Sequence, residues 1–241
     1  MSLASPAGVR LDHGVFRAAA IGALLVVVVG FARTYFLRPW LGLPPLAMFI
    51  HVHAAIMLAW VIVLATQVFL IARKQLAWHR RLGWTALALA ALVLVMGTSA
   101  TWRAAVREVA GHTEDASIQL TVLGLEMTQM ALFAAFTSLG FFWRHRPAYH
   151  KRMMIMATAV MLPNPIVRVL DALHVGSINN TTVLIIDALI LAVVVTDAAR
   201  HRHLHPAFGW GAAAAIGGIQ TALVVAPSAA WHAFATRLIL A

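Results

Sequence analysis

Residues 46–72, LAMFIHVHAAIMLAWVIVLATQVFLIA, decide the fold class of this chain, because the whole run contains no Asp, Glu, Lys or Arg. A helix of about 20 apolar residues crosses the hydrocarbon core of a bilayer, so this stretch predicts a membrane-spanning helix. Six other stretches have a similar character. The predicted helices cover residues 15–32, 46–72, 82–101, 119–143, 153–173, 181–199 and 207–226, and residues 227–241 are expected to form a short interfacial tail.

The composition of the chain agrees with this class. Of its 241 residues, 62% are hydrophobic and 11% are charged, which is more apolar surface than a soluble domain of this size can bury. Cysteine is absent, so disulfides, thiolate metal sites, iron–sulfur clusters and covalently attached c-type haem are excluded. We therefore predict an all-α, polytopic membrane protein, a seven-helix bundle that forms one transmembrane domain over residues 1–241.

Basic residues in three short connections predict the orientation of the bundle. These connections contain Arg73, Lys74, Arg80 and Arg81, then Arg144, Arg146, Lys151 and Arg152, then Arg200 and Arg202. Because short loops rich in Lys and Arg remain in the cytoplasm, we expect the N-terminus inside and the C-terminus outside. Residues 1–17 contain no apolar core of a signal peptide, so the first apolar run should be retained as a helix.

The formal charge of +10 fits the same picture. In a soluble protein it would favour nucleic acid as a partner. Here the positive charges lie between apolar spans, so we expect anionic lipid head groups and not nucleic acid.

The three basic connections also resemble one another in sequence. Residues 72–83 are ARKQLAWHRRLG, residues 143–154 are WRHRPAYHKRMM, and residues 199–209 are ARHRHLHPAFG. In each copy a helix ends in basic residues and a histidine opens the next helix. This pattern predicts three repeated helix hairpins after a leading first helix. The histidines concerned, which either close helix ends at the interface or form a second ligand cluster, are His79, His150 and His205.

Four ionisable residues fall at nearly one depth in the extracytoplasmic half of four predicted helices. They are His53, Glu126, Arg168 and Asp187. Such groups are costly in hydrocarbon and are usually kept for a function, so they predict a polar site. His51 is a second cofactor-binding candidate, although its side chain leaves the helix roughly 200° away from that of His53.

Two prolines interrupt the fifth predicted helix beside this layer. Pro163 and Pro165 flank Asn164 and should kink or unwind the helix there. Irregular backbone at membrane depth is tolerated mainly where it lines a cavity or is buried in protein, so the interruption favours a site at the same level.

Two kinds of bound cofactor suit these residues. A b-type haem needs axial imidazoles, and His53 could serve with His174 or His112 as distal partner, although the fourth helix carries Glu126 where a haem bundle would often place a second histidine. The basic groups available for the propionates are Arg168 and Arg103. A transition metal (zinc, iron or manganese) would instead use a mixed set of ligands. That set is His53, Glu126, Asp187 and His174.

Other functions fit the same residues. A proton or quinone site could use a histidine beside carboxylates. A metal-dependent membrane enzyme could act on a lipid-soluble substrate. The polar layer could also be structural, with Arg168 neutralising Asp187, Glu126 or Asp171, in a non-catalytic subunit or assembly factor of a respiratory or photosynthetic complex.

Several short motifs resemble those of a known group of proteins. They are His51-Val-His53, Gln67, His79-Arg-Arg-Leu-Gly83, His150-Lys-Arg-Met153 and His205-Pro206. At these positions the chain resembles an uncharacterised family of bacterial multi-pass membrane proteins. It is also distantly similar to the membrane b-type cytochrome and oxidase-assembly families. The resemblance implies a location in the bacterial inner membrane and a role linked to haem or electron transport.

Overall fold

The computed structural model describes the backbone of residues 6–175 and 180–241, and the side chains of residues 14–175 and 182–241. Within those ranges the chain is helical and contains no β-strand. The helices are α1 (Pro6–Gly30), α2 (Met48–Ala72), α3 (Leu76–Ala110), α4 (Ala116–Phe142), α5 (Pro147–Ala159), α6 (Pro163–Ala172), α7 (Asn180–His201), α8 (Pro206–Val225) and α9 (Ala229–Leu240), and a π-helical segment, Ala32–Phe36, follows α1.

Several of these helices are long and apolar enough to cross a membrane, which agrees with a multi-pass membrane protein. Among the described residues, five pass this test: α2, α3, α4, α8 and residues 182–201 of α7. The pair α5 and α6 adds a sixth span if it is counted as one bent element. The apolar part of α1, Gly14–Gly30, is shorter. The seventh span, like the predicted orientation, therefore remains a prediction.

The proline interruption of the fifth predicted helix is confirmed. Residues 153–173 do not form one continuous helix, because α5 ends at Ala159 and α6 begins at Pro163, with a bend of 41° between them. The pyrrolidine ring of proline has no amide hydrogen and is best tolerated in the first turn of a helix. Pro163 therefore starts a new helix instead of continuing the old one.

The predicted ends of the third helix were wrong. Residues 82–101 were expected, whereas α3 extends from Leu76 to Ala110. The sequence criterion locates the part of a helix that hydrocarbon can accommodate. A helix can continue beyond the hydrocarbon, where charged residues such as Arg80 and Arg107 are solvated. Helices α1 and α5 likewise begin before their predicted starts, at Pro6 and Pro147.

Helix α4 lies at the centre of the bundle, where it packs against α3, α5, α8 and α9.

Trp60 of α2 shows how the neighbouring helices are joined. Its indole nitrogen donates a hydrogen bond of 3.1 Å to the Thr158 hydroxyl of α5, and its ring lies edge-on to Phe133 of α4 at 4.9 Å between centroids. All three side chains are buried. One tryptophan thus links three helices in the core.

The three basic connections lie at one end of the bundle. The rings of His79 and His150 are 6.2 Å apart, and the ring of Tyr149 is 4.7 Å from that of His205. We call this the basic end, defined by residues 73–81, 144–152 and 200–205. The opposite end, which carries the connection between α3 and α4 at residues 111–115, is called the far end.

The C-terminal tail forms a helix, α9, that packs on the far end. The indole nitrogen of Trp231 donates to the Leu120 carbonyl at 2.8 Å, and Ala235 is buried in a small cluster with Ala105 and Val109 of α3. Phe234 is exposed. The tail is thus anchored to the protein on one face, and its predicted place at the membrane interface remains open.

Helix α1 approaches the break between α5 and α6 very closely. A Cβ atom placed on Gly30 would lie 2.7 Å from the Cα atom of Pro165, which is too close for any side chain. Glycine at this position therefore allows the end of α1 to pack directly on the start of α6.

This contact predicts opposite effects for two glycine substitutions in one helix. Gly30→Ala should lower the free energy of unfolding by about 1–3 kcal/mol, because the added methyl group overpacks a contact with backbone. Gly22→Ala should leave stability unchanged or raise it by up to about 1 kcal/mol, because nothing lies within 4 Å of its Cβ position and alanine favours a helix. Thermal unfolding in detergent measures both, and equal effects would contradict the close packing.

Candidate functional site

The predicted ligand His53 lies in α2 and is half-buried. Its Nδ1 is 3.2 Å from the carbonyl oxygen of Met96 on α3, which leaves Nε2 available in the tautomer that donates from Nδ1. His51 is exposed, and its Nδ1 is 3.1 Å from the Tyr35 hydroxyl. The two histidines therefore face different neighbours, as their spacing predicts, and only His53 contacts α3 in this way.

The carboxylate of Glu126 lies beside the break between α5 and α6. The side-chain amide of Asn164, which is flanked by the two prolines, donates to Glu126 Oε1 at 3.4 Å. Thr101 of α3, whose side chain is buried, is the other near neighbour. The predicted kink and the predicted carboxylate thus form one arrangement, in which α4 contributes the acid and α6 contributes the amide.

Arg168 follows Asn164 by one turn of α6 and is exposed at the surface of the chain. Its guanidinium lies over the Phe31 ring, 5.0 Å from the centroid. It interacts electrostatically with Glu126 and Asp171. Among the side chains that the structure describes, however, it forms no ion pair with any carboxylate within 4.0 Å. The predicted counter-charge therefore acts at longer range and is not a direct partner.

Asp187 and His174 lie apart from this arrangement. Asp187 accepts a hydrogen bond of 2.7 Å from the side-chain amide of Gln220, which joins α7 to α8. His174 follows α6 with a positive φ of 59° and is exposed, and His112, with a φ of 49°, is exposed in the turn after α3. The grouping of His53, Glu126, Asp187 and His174 into one ligand set was an expectation from depth alone, and the structure does not assemble it.

The four predicted ligands are not assembled because depth along a helix does not determine which way a side chain points around the bundle. Across residues 14–175 and 182–241, no group of three or more His, Asp or Glu side chains is close enough together to hold a metal ion. The part of the site that the structure does bring together is Glu126 with Asn164 and Thr101. The identity of any bound cofactor remains a prediction.

One buried ion pair was missed by sequence reasoning. Arg152 of α5 donates to the carboxylate of Asp197 on α7 from Nη2 at 2.7 Å and from Nε at 2.9 Å. Their side chains are 3% and 1% exposed. Sequence reasoning placed Arg152 in a solvated basic loop. The available signal was Asp197 itself, an acidic residue inside an apolar predicted helix that the expected polar layer left without a role.

No family model, curated protein or solved structure matches the chain. The resemblance to bacterial membrane proteins therefore remains an expectation, and the roles of individual residues depend on their own geometry.

The buried ion pair predicts a non-additive pattern of stability. Arg152→Met should lower the free energy of unfolding by about 3–5 kcal/mol, because it leaves the Asp197 carboxylate buried without its partner. The double variant Arg152→Met with Asp197→Leu should recover most of that loss, since both charges are then removed.

The exposed pair Arg107–Glu108 supplies a matched control. The side chain of Arg107 is 75% exposed, so Arg107→Met should change stability by no more than about 0.5 kcal/mol. Thermal or denaturant unfolding in detergent measures all three variants. A double variant as unstable as Arg152→Met alone would show that the pair does not act as a unit.

Proposed function

We propose that this multi-pass membrane protein exchanges protons at Glu126, in its far half, with a membrane-soluble carrier of the quinone class, while a separate redox partner protein supplies or accepts the two electrons. The observation that carries the proposal is the position of this carboxylate. It lies within a membrane-spanning helix, at the break of a neighbouring span, with an amide and a hydroxyl as its nearest neighbours.

The break supports this assignment because it is costly to maintain in hydrocarbon. In a continuous helix, the amides of residues 163 and 165 would bond to the carbonyls of Ala159 and Met161, but proline has no amide hydrogen. Backbone of this kind occurs at membrane depth where it lines a cavity or is buried in protein. A carboxylate held there by Asn164 can gain or lose a proton without breaking a salt bridge.

An apolar cavity of about 230 Å³ borders the same break, on a side that neither α4 nor Asn164 lines. Ala159, Leu162 and Ile166 line it from the α5–α6 side, and the remaining walls come from α1, α2 and α7. A cavity of about 150 Å³ is enough for a benzene ring, so this one accommodates the ring of a quinone. Its apolar lining also suits a carrier that reaches the site from the membrane.

Arg168 favours a proton-exchange role over a purely structural one. Its charge is near enough to act on Glu126, yet its guanidinium lies over the Phe31 ring and forms no close ion pair with the carboxylate. In a structural pair the two charges would be in contact, as they are in Arg152–Asp197. Glu126 thus retains the freedom to change its protonation state.

Infrared spectroscopy of the protein in lipid vesicles tests the proposal. Addition of a short-chain ubiquinone analogue should change the carbonyl band of a protonated carboxyl group in the wild-type protein. The change should disappear in Glu126→Gln and remain in Asp187→Asn, which alters the carboxylate paired with Gln220. Either no quinone-dependent change in the wild type or its survival in Glu126→Gln would refute the assignment.

A second candidate is a redox cofactor, a b-type haem or a transition metal, bound through His53. The contact between Nδ1 and the Met96 carbonyl favours it, because metal-binding histidines are commonly held by such a bond while the other nitrogen binds the metal.

Optical spectra of the oxidised and dithionite-reduced protein, with elemental analysis, test this candidate. It predicts a cofactor signal that is lost in His53→Ala and retained in His51→Ala, whose histidine faces Tyr35 instead. A blank spectrum with no bound metal would eliminate the His53 cofactor and leave the proposal for Glu126 intact.

A further inference from the structure

The histidines of the three repeated connections have different roles in the structure. His205 precedes α8, and its Nδ1 accepts a hydrogen bond of 3.1 Å from the amide of Ala207. An accepting Nδ1 requires the proton of the neutral ring to be on Nε2. His205 is thus a helix cap, and neither of its ring nitrogens is free to bind a metal while it caps α8.

His79 and His150 are arranged differently. Their rings are 6.2 Å apart between centroids and nearly perpendicular, at 81°. The Nδ1 of His150 is 2.8 Å from the carbonyl oxygen of Gly140 on α4, so Nδ1 carries the proton and Nε2 keeps its lone pair. A backbone carbonyl that holds one ring nitrogen in this way is a common support for a histidine ligand.

Two buried polar atoms lie in the same region without a satisfactory partner. In the described part of the chain, neither Nδ1 of His79 nor Oε1 of Gln67 has a hydrogen bond of ordinary geometry, although the His79 ring lies beside the backbone carbonyl of Gln67. Gln67 lies against α3 one turn beyond His79, because its Nε2 is 3.8 Å from the position that a Cβ atom on Gly83 would occupy. A buried polar atom without a partner costs about 1–3 kcal/mol. A ligand bound between the two imidazoles is one way to supply such a partner.

A thioether lies close to the residue whose carbonyl holds His150. Met154 follows His150 by one turn of α5, and its Sδ is 2.8 Å from the Cβ position of Gly140, whose carbonyl holds His150. The candidate donors in this region are therefore two imidazoles in ring contact, one thioether and one amide oxygen, and all are neutral. The nearby carboxylate of Asp197 is already paired with Arg152.

This donor set and its surroundings favour one kind of ion. Thioether and imidazole ligands together suit copper(I), whereas zinc prefers thiolate, imidazole and carboxylate ligands, and magnesium or calcium prefers oxygen. The connections at this end carry many arginines, among them Arg80 next to His79, so a single positive charge is opposed less than a double one. Two imidazoles on one ion at a metal–nitrogen distance of about 2.0 Å have centroids about 5 Å apart at a tetrahedral angle and about 6 Å apart on opposite sides of the ion. The observed 6.2 Å fits the second arrangement, in which the two imidazoles bind copper(I) from nearly opposite sides.

We propose that His79 and His150, with Met154 and Gln67 beside them, form a copper(I) site at the basic end of the bundle. The site links α2, α3 and α5 and is separate from Glu126 in the far half. It does not depend on the proposed proton exchange.

Titration of the purified full chain with copper(I), without oxygen and in competition with a chromophoric copper(I) chelator, tests the proposal. One ion should bind per chain. His79→Ala and His150→Asn should each weaken binding by at least about tenfold. Asparagine at 150 can still donate to the Gly140 carbonyl, so the second variant separates loss of a ligand from loss of packing.

The repeat supplies the matched control. His205→Asn removes an imidazole from the same motif but keeps a side chain that caps helices well, so copper(I) binding should stay within about twofold of the wild type. Thermal unfolding of each variant confirms that it is folded. X-ray absorption of the copper-loaded wild type should show one sulfur neighbour, and Met154→Leu should remove it.

Three results would overturn the proposal. The first is that the wild type binds no more copper(I) than the double variant His79→Ala with His150→Asn. The second is that the wild type binds zinc in preference to copper(I). The third is that His205→Asn weakens binding as much as His79→Ala does. The infrared signal assigned to Glu126 is unaffected by any of these results, so the two proposals fail separately.

Discussion

Hydrocarbon offers no hydrogen-bond partner, and most of this structure follows from that constraint. Each polar group within a span must find its partner inside the chain, usually on another helix. Pairs of side chains that meet this requirement across helices include Trp60–Thr158, Arg152–Asp197, Asn164–Glu126 and Gln220–Asp187. Each pair fixes the rotation of two helices relative to each other. Apolar packing brings the helices together, and these few bonds determine which faces meet.

The same constraint explains how much could be predicted from sequence. The apolar runs and the proline break are local properties, so most spans and the kink at Pro163 were predicted correctly. The ends of α3 were missed because hydropathy reports membrane thickness and not helix length. Partners such as Arg152 and Asp197 were missed because direction around the bundle depends on how all the helices pack. For the same reason Glu126 and Asp187, predicted at one depth, have different neighbours.

The repeated connections show the limit of a motif as a guide to chemistry. All three histidines follow basic residues near the start of a helix, yet their surroundings differ. Proline after His205 starts α8, and the imidazole becomes its cap. His150 instead meets the Gly140 carbonyl, and His79 meets His150. What distinguishes them is the group that contacts each ring, which depends on how the helices pack and not on the shared sequence pattern.

Helix α3 has 35 residues and is about 52 Å long, well beyond the roughly 30 Å of hydrocarbon in a bilayer. Its last turns pack against α9 in a small core of their own, with Ala105 and Ala235 fully enclosed. The same helix carries Thr101 beside Glu126 and, near its other end, His79. A tilt of α3 would therefore displace the site at Glu126 and the histidine pair together.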